Sequence, residues 1–124
     1  MEQQKKKHLV YICGPINTPE YYKAFEDMEG KLTAMGYTPL SPARLPEDLT
    51  FNQRHSITTA MIDEADAVVM LPNWRSCEAA VMEHYMAYGF IRPIVELRES
   101  TPEGKNPVGV VHAWLKHDLQ EVLT

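Results

Sequence analysis

The chain has 124 residues, 44% hydrophobic and 23% charged, with a formal net charge of -5. That length suits a single domain able to bury a core without staples, and the acidic balance excludes a nucleic-acid polymer as partner while leaving room for a small nucleotide in a locally positive pocket. Two cysteines, Cys13 and Cys77, supply neither a disulfide framework nor a metal quartet, so we expect a reducing, cytoplasmic setting with no metal and no cofactor.

Residues 1–7 are polar and charged and read as a flexible tail of one domain spanning 1–124. Lys5-Lys6-Lys7 stand before an apolar run, but only Leu9 to Cys13 follow before Gly14-Pro15. That run is too short for a signal peptide, and no apolar segment approaches the roughly 20 residues that cross a bilayer. No membrane association is expected. His8 to Cys13 is rich in strand-favouring residues and gives the first strand. It ends in the turn-forming loop Gly14-Pro15-Ile16-Asn17. Thr18 is placed to cap a helix with Pro19 in its first turn, and Tyr22, Phe25, Met28, Leu32 and Met35 recur at helical spacing up to Gly36.

Tyr37 to Leu40 gives a short second strand, and residues 43–51 read as irregular. A helix follows from about Asn52 to Glu64, with Ile57, Ala60, Met61 and Ala65 as its apolar stripe. The five apolar residues Ala67 to Leu71 suit a strand covered on both faces. Pro72 and Asn73 stop it, Ser76 is placed as the next N-cap, and Glu78 sets a carboxylate in the positive first turn of a helix. Phe90 to Leu97 reads as a further strand that Pro93 confines to an edge, 98–108 as a loop, and Val111, Trp114, Leu115, Leu119 and Val122 as the stripe of a last helix.

This alternation predicts an α/β fold: a small Rossmann-like, flavodoxin-like three-layer sandwich with a mainly parallel sheet of four to five strands. In such sheets ligands bind beyond the carboxyl ends of the strands. That rule selects three loops, Gly14 to Asn17, Ser41 to Leu45 and Pro72 to Cys77.

Each candidate has two readings on its residues alone. Gly14-Pro15-Ile16-Asn17 is a tight turn, or a loop that brings backbone and a helix start up to an anion; it carries no dinucleotide fingerprint and no phosphate-cradling loop. Ser76 and Cys77 can donate to a phosphate or hydroxyl at a helix start, yet no histidine forms a signature with Cys77, and a small packing residue is the simpler reading. Trp74 can wall a base or sugar by stacking, or pack as a lid on neighbouring loops. Asp63, Glu64 and Asp66 precede the third strand at the end away from ligands, which favours capping or solvation. Glu83 stands in the second turn of its helix, with Ala79, Ala80, Met86 and Ala87 around it. Partial desolvation there would raise its pKa, and an ionised carboxylate under a sugar ring can attack an anomeric carbon. A mid-helix glutamate is more often a solvated face residue, so the residues alone leave its role open.

Three segments together resemble a known family. Tyr11-Ile12-Cys13-Gly14-Pro15-Ile16 opens the chain. Ala65-Asp66-Ala67-Val68-Val69 precedes a Leu-Pro-x-Trp loop. After Trp74, Ser76-Cys77-Glu78-Ala79-Ala80-Val81-Met82-Glu83 then follows a W-x-x-[S]-x-[GA]-A-x-x-E pattern, with Cys77 at the serine position. Across residues 9 to about 97 the chain resembles the nucleoside 2-deoxyribosyltransferase-like superfamily, most of all its short phage and bacterial branch. The resemblance implies cleavage or transfer of an N-glycosidic bond on a nucleoside or nucleoside monophosphate. Glu83 falls on the family's nucleophile and Tyr11 on the tyrosine that orients it or the sugar. Gly14, Pro15, Ile16, Asn17 and the helix start near Cys77 fall where the sugar's 5′ end or a 5′-phosphate is held. A homo-oligomer, dimer or larger, with the site near a subunit interface is implied too. Three departures stand out: Thr58 replaces an aspartate that meets the base, Asn17 replaces a phosphate-binding arginine, and Cys77 replaces a serine. Thr58 cannot act as a general acid, which motivates the alternative of a non-catalytic nucleotide-binding or sensing domain, and, more weakly, of an interaction protein with a vestigial pocket.

Overall fold

The computed structural model describes residues 8–16 and 21–96. The expected positions of Asn17, Thr18 and Pro19, the 98–108 loop and the last helix lie outside these residues. Strand β1 is Leu9–Cys13, helix α1 Tyr21–Ala34, β2 Thr38–Leu40, α2 Phe51–Glu64, β3 Ala67–Met70, α3 Glu78–Gly89 and β4 Ile94–Glu96. The four strands lie in the order β2-β1-β3-β4, and every pair is parallel. The chain leaves β1 toward β2 on one side and reaches β3 on the other, so the order reverses at the carboxyl ends of β1 and β3.

Side chains alternate across a strand, and β1 supplies both cores by that rule. Val10 and Ile12 meet Phe25, Met28 and Leu32 of α1 together with Ala67, Val69, Leu71 and Val95. Tyr11 and Cys13 face the opposite side, with Val68 and Met70, against Ile62 of α2 and Ala80 and Ala87 of α3. Among the described residues one helix therefore covers one face and two cover the other, giving three layers. β1 and β3 are buried almost throughout, as strands covered on both faces must be.

The helix ends are set by local chemistry. Gly36 takes the left-handed backbone (φ 92) that ends α1, with Tyr37 N donating to Leu32 O and Gly36 N to Thr33 O, both at 3.0 Å. Thr50 and Gln53 cap α2 reciprocally: Gln53 N donates to Thr50 Oγ1 (3.1 Å) and Thr50 N to Gln53 Oε1 (3.0 Å). α3 ends in the same pattern as α1, with Ile91 N donating to Tyr88 O (3.0 Å) and Arg92 N to Ala87 O (2.9 Å). Here the left-handed position is Ile91 (φ 58), a conformation β-branched residues rarely adopt.

Three local expectations are corrected. Ser76 does not cap α3. It closes a short 3-10 turn, Trp74–Ser76, by donating its hydroxyl to Asn73 O (2.7 Å), and Cys77 is the cap residue without a side-chain bond. The buried stripe of α2 is Thr58 and Ile62, whereas Ile57 and Ala60 are exposed. The helix turns its Thr58 side inward because α3 and β1 cover that face. Among the described residues the fourth strand is Ile94–Glu96, its start delayed by the turn through Ile91 and the fixed backbone of Pro93, while the expected Leu97 lies outside them. Among the described residues no helix is long and apolar enough to cross a membrane.

Candidate active site

A cleft of ≈ 370 Å³, continuous with solvent, opens between α2 and α3 beyond the end of β1. Its walls are Ile16 from the loop after β1, Phe51, Arg54, His55 and Thr58 from the first two turns of α2, and Ala79, Met82 and Glu83 from the start of α3. The α2 residues share one helical face by their three- and four-residue spacing. Arg54 is tied down by its guanidinium, which donates to Pro42 O (3.2 Å) and Pro46 O (3.0 Å) in the segment after β2. The chemistry-bearing wall is thus anchored to the segment after β2 as well as built from the loop after β1, α2 and α3.

Glu83 is buried at 9% exposure, and its Oε1 accepts a hydrogen bond from the Tyr11 hydroxyl. Tyr11 is central in β1 and fully buried, so the donor is fixed by the most constrained strand of the sheet. Burial raises the Glu83 pKa to about 7; the bond from Tyr11, the neighbouring Cys13 thiol and the charge of Arg54 pull in the opposite direction. Burial and then the Glu83 charge push the Tyr11 phenol well above its ordinary value, so it stays a donor. The same two causes push up the Cys13 thiol, which donates to Ala80 O at 3.5 Å. The result is a carboxylate that exchanges its proton near neutrality, beside a neutral donor.

The structure brings Glu83, Tyr11, Thr58 and Ile16 to this cleft or directly behind it. Thr58 is 2% exposed and donates its hydroxyl to His55 O (3.2 Å). Gly14 is buried under Leu71: a Cβ there would lie 2.8 Å from Leu71 Cδ1 and 2.9 Å from its Cβ. Gly14 and Pro15 shape the loop that delivers Ile16, and neither lines the cleft. Nor do the third-loop residues. Trp74 is buried against His84 (ring centroids 4.4 Å apart), carries the Arg75 guanidinium over its ring at 4.4 Å, and donates from Nε1 to Glu96 Oε1 (3.3 Å). Cys77 is packed in the core beside α3, and Ser76 is exposed. Asp66 accepts from Leu9 N (2.8 Å) at the far end of the sheet.

Sequence reasoning did not single out Phe51, Arg54, His55 or Met82. The available signal was the helical face of Thr58: residues three, four and seven positions before it are His55, Arg54 and Phe51. Among the described residues no group of three or more His, Cys, Asp or Glu is placed to hold a metal.

The model of a domain of unknown function, DUF4406, matches residues 8–96. The chain belongs to the DUF4406 family. Solved structures place this DUF4406 chain among nucleoside deoxyribosyltransferase-like folds. It is similar to a 2-deoxyribosyltransferase from the psychrotolerant bacterium Bacillus psychrosaccharolyticus, with a TM-score of 0.60 and 21% identity over 79% of this chain and 77% of that one. It is also similar to a CMP N-glycosidase of Clostridium botulinum, with a TM-score of 0.60 and 17% identity over 92% of this chain and 82% of that one. At such identities the likeness is one of fold. No curated protein matches the sequence.

Proposed function

We propose that this DUF4406 chain cleaves or transfers the N-glycosidic bond of a nucleoside or nucleoside monophosphate, with Glu83 as nucleophile. The observation that carries the reading is a carboxylate buried in a cleft wall, held by Tyr11, with a pKa of about 7. In the proposed reaction an ionised Glu83 oxygen forms a bond to C1′ as the C1′–N bond breaks, and water or a second base then resolves the glycosyl-enzyme. Tyr11 positions the carboxylate. Ile16 and Thr58 contact the substrate, and the Gly14-Pro15 turn sets the wall beside the sugar. Only the ionised form attacks, so turnover rises as pH climbs through about 7. Fold relatives that carry out a deoxyribosyl transfer and a CMP N-glycosidic cleavage support the reaction class.

The proposal extends to the assembly and its setting. A homo-oligomer, dimer or larger, is supported by apolar surface on α2 and α3, where Phe51 is 62% and Tyr85 70% exposed. A cytoplasmic setting is supported by two free cysteines. Thr58 favours a second reading, a binding or sensing domain, because a hydroxyl bonded to His55 O cannot protonate a departing base.

The deciding experiment incubates wild type, Glu83→Gln and Glu83→Ala with a panel of nucleosides, deoxynucleosides and their monophosphates, and follows free base by chromatography. Release by wild type that both variants lose supports the proposal. Equal release by the variants, or none by wild type, overturns it; nucleotide binding without release over long incubation moves the assignment to the binding reading.

A further inference from the structure

The cleft holds a second proton-active side chain that the nucleophile does not use. His55 stands on α2 one turn before Thr58, and both line the cleft that Glu83 lines from α3. Its backbone carbonyl is engaged, accepting from Thr58 Oγ1 (3.2 Å) and Thr59 Oγ1 (2.6 Å). Its ring lies flat on Phe51, with centroids 5.8 Å apart and planes 9° from parallel. Among the described residues no hydrogen bond or ion pair engages either ring nitrogen. A half-buried imidazole, held by stacking and free at its nitrogens, meets a ligand without first breaking a bond.

Among the described residues its neighbours leave it without a rival. From its own helix Arg54 faces the cleft, but a guanidinium does not surrender a proton. Glu83 faces it from α3, and Tyr11 and Cys13 of β1 stand behind Glu83 with their protons held firmly. Thr58 is a hydroxyl bonded to backbone. Breaking an N-glycosidic bond leaves an electron pair on the base nitrogen, and a base that departs unprotonated departs slowly.

Resting on the N-glycosidic reading above, we propose that His55 donates the proton that the leaving base requires. In the first half-reaction the C1′–N bond breaks, its electron pair stays with the base, and the imidazolium proton passes to that base while Glu83 bonds C1′. In the second, neutral His55 takes a proton from the attacking water, the new C1′–O bond forms, and the Glu83 ester oxygen leaves as carboxylate. Both side chains return to their starting forms.

The test pairs two substrates of one sugar: the nucleoside or nucleotide that wild type cleaves best, and the matching 4-nitrophenyl glycoside, whose leaving group needs no proton. Wild type, His55→Ala, His55→Gln and Glu83→Gln are compared. We expect both His55 variants to release the natural base in the first turnover roughly 100-fold or more slowly, and nitrophenolate in the first turnover within about 3-fold of wild type, the usual span of acid catalysis. The nitrophenolate rate also reports that each His55 variant is folded. Glu83→Gln loses both substrates. Unchanged base release in the His55 variants, or equal loss on both substrates, overturns the His55 assignment and leaves the Glu83 reading standing. A wild type that releases neither base nor nitrophenolate overturns both.

Discussion

Replacing Glu83 by glutamine makes the strongest physical prediction, and it concerns stability. In the unfolded chain the carboxyl ionises at its ordinary value of 4.5, and in the fold at about 7. Between those values the folded state holds a proton that the unfolded state has released, so stability falls as pH rises. The span, at about 1.36 kcal/mol per pH unit, comes to on the order of 3 kcal/mol. Glutamine has nearly the shape of the protonated acid, can still accept from Tyr11, and never ionises. Below about pH 4.5 the variant and wild type therefore differ by a constant. From there to about pH 7 the variant gains relative stability, and above pH 7 the gap is again constant. For a chain of this size the full gain corresponds to about 10 °C in Tm. Thermal melts of both proteins in matched buffers from pH 4 to 8.5 measure it directly. Parallel melting curves across that range, or a wild type that gains on the variant as pH rises, would refute a carboxylate strained by burial.

Other changes test the supports of the site. Tyr11→Phe removes the donor to Glu83 Oε1, costing roughly 1–2 kcal/mol by denaturant unfolding. Because the Tyr11 bond lowers the Glu83 pKa, its loss moves the rising limb of the pH–rate profile to higher pH. Gly14→Ala drives a Cβ to within 2.9 Å of Leu71 and destabilises by about 1–3 kcal/mol; Leu71→Ala restores only part, since the Leu71 Cβ remains in contact. Ile91→Gly relieves the left-handed backbone at the end of α3 and stabilises by about 0.5–1 kcal/mol, the left-handed penalty less the added freedom of the unfolded chain. A loss of stability there would place the worth of Ile91 in contacts of its side chain.

The parts of this fold legible in the sequence are those where one signal dominates. The apolar runs at 9–13 and 67–71 announce buried parallel strands, and both form the centre of the sheet. Gly36 marks the end of α1 because few residues other than glycine take its backbone angle without strain. The reading fails where two features compete for one role. Ser76 is a good cap by type, but Asn73 O lies within reach of its hydroxyl and the 3-10 turn claims it. On α2 the apolar residues Ile57 and Ala60 suggested one face, yet the helix is held by Thr58, Ile62 and the Arg54 bonds to Pro42 and Pro46. A threonine counted as polar hid the inward face, and with it Phe51 and His55. Trp74 shows the converse case. Its stack with His84 joins residues ten positions apart, across a turn and into α3, and no local pattern encodes that pairing.

The burial of Glu83 also bears on why the carboxylate is there. A glutamate on a solvated helix face titrates normally and can be exchanged freely. Glu83 instead sits buried beside Tyr11 and Cys13, in the wall of a cleft, at an energetic cost on the order of 3 kcal/mol above neutral pH. Replacing such a group with an apolar side chain of similar volume commonly stabilises a fold. Tyr11 deepens the asymmetry: its hydroxyl, placed on the central strand, finds its partner in that carboxylate. A purely structural role is satisfied by phenylalanine at 11 and leucine or methionine at 83. The double substitution Tyr11→Phe with Glu83→Met separates the two accounts. If the pair is kept for its chemistry, the double variant melts at or above wild type at pH 8 and releases no base. If the pair is kept for the fold, the double variant melts lower at every pH, because the hydrogen bond then contributes more than the burial costs.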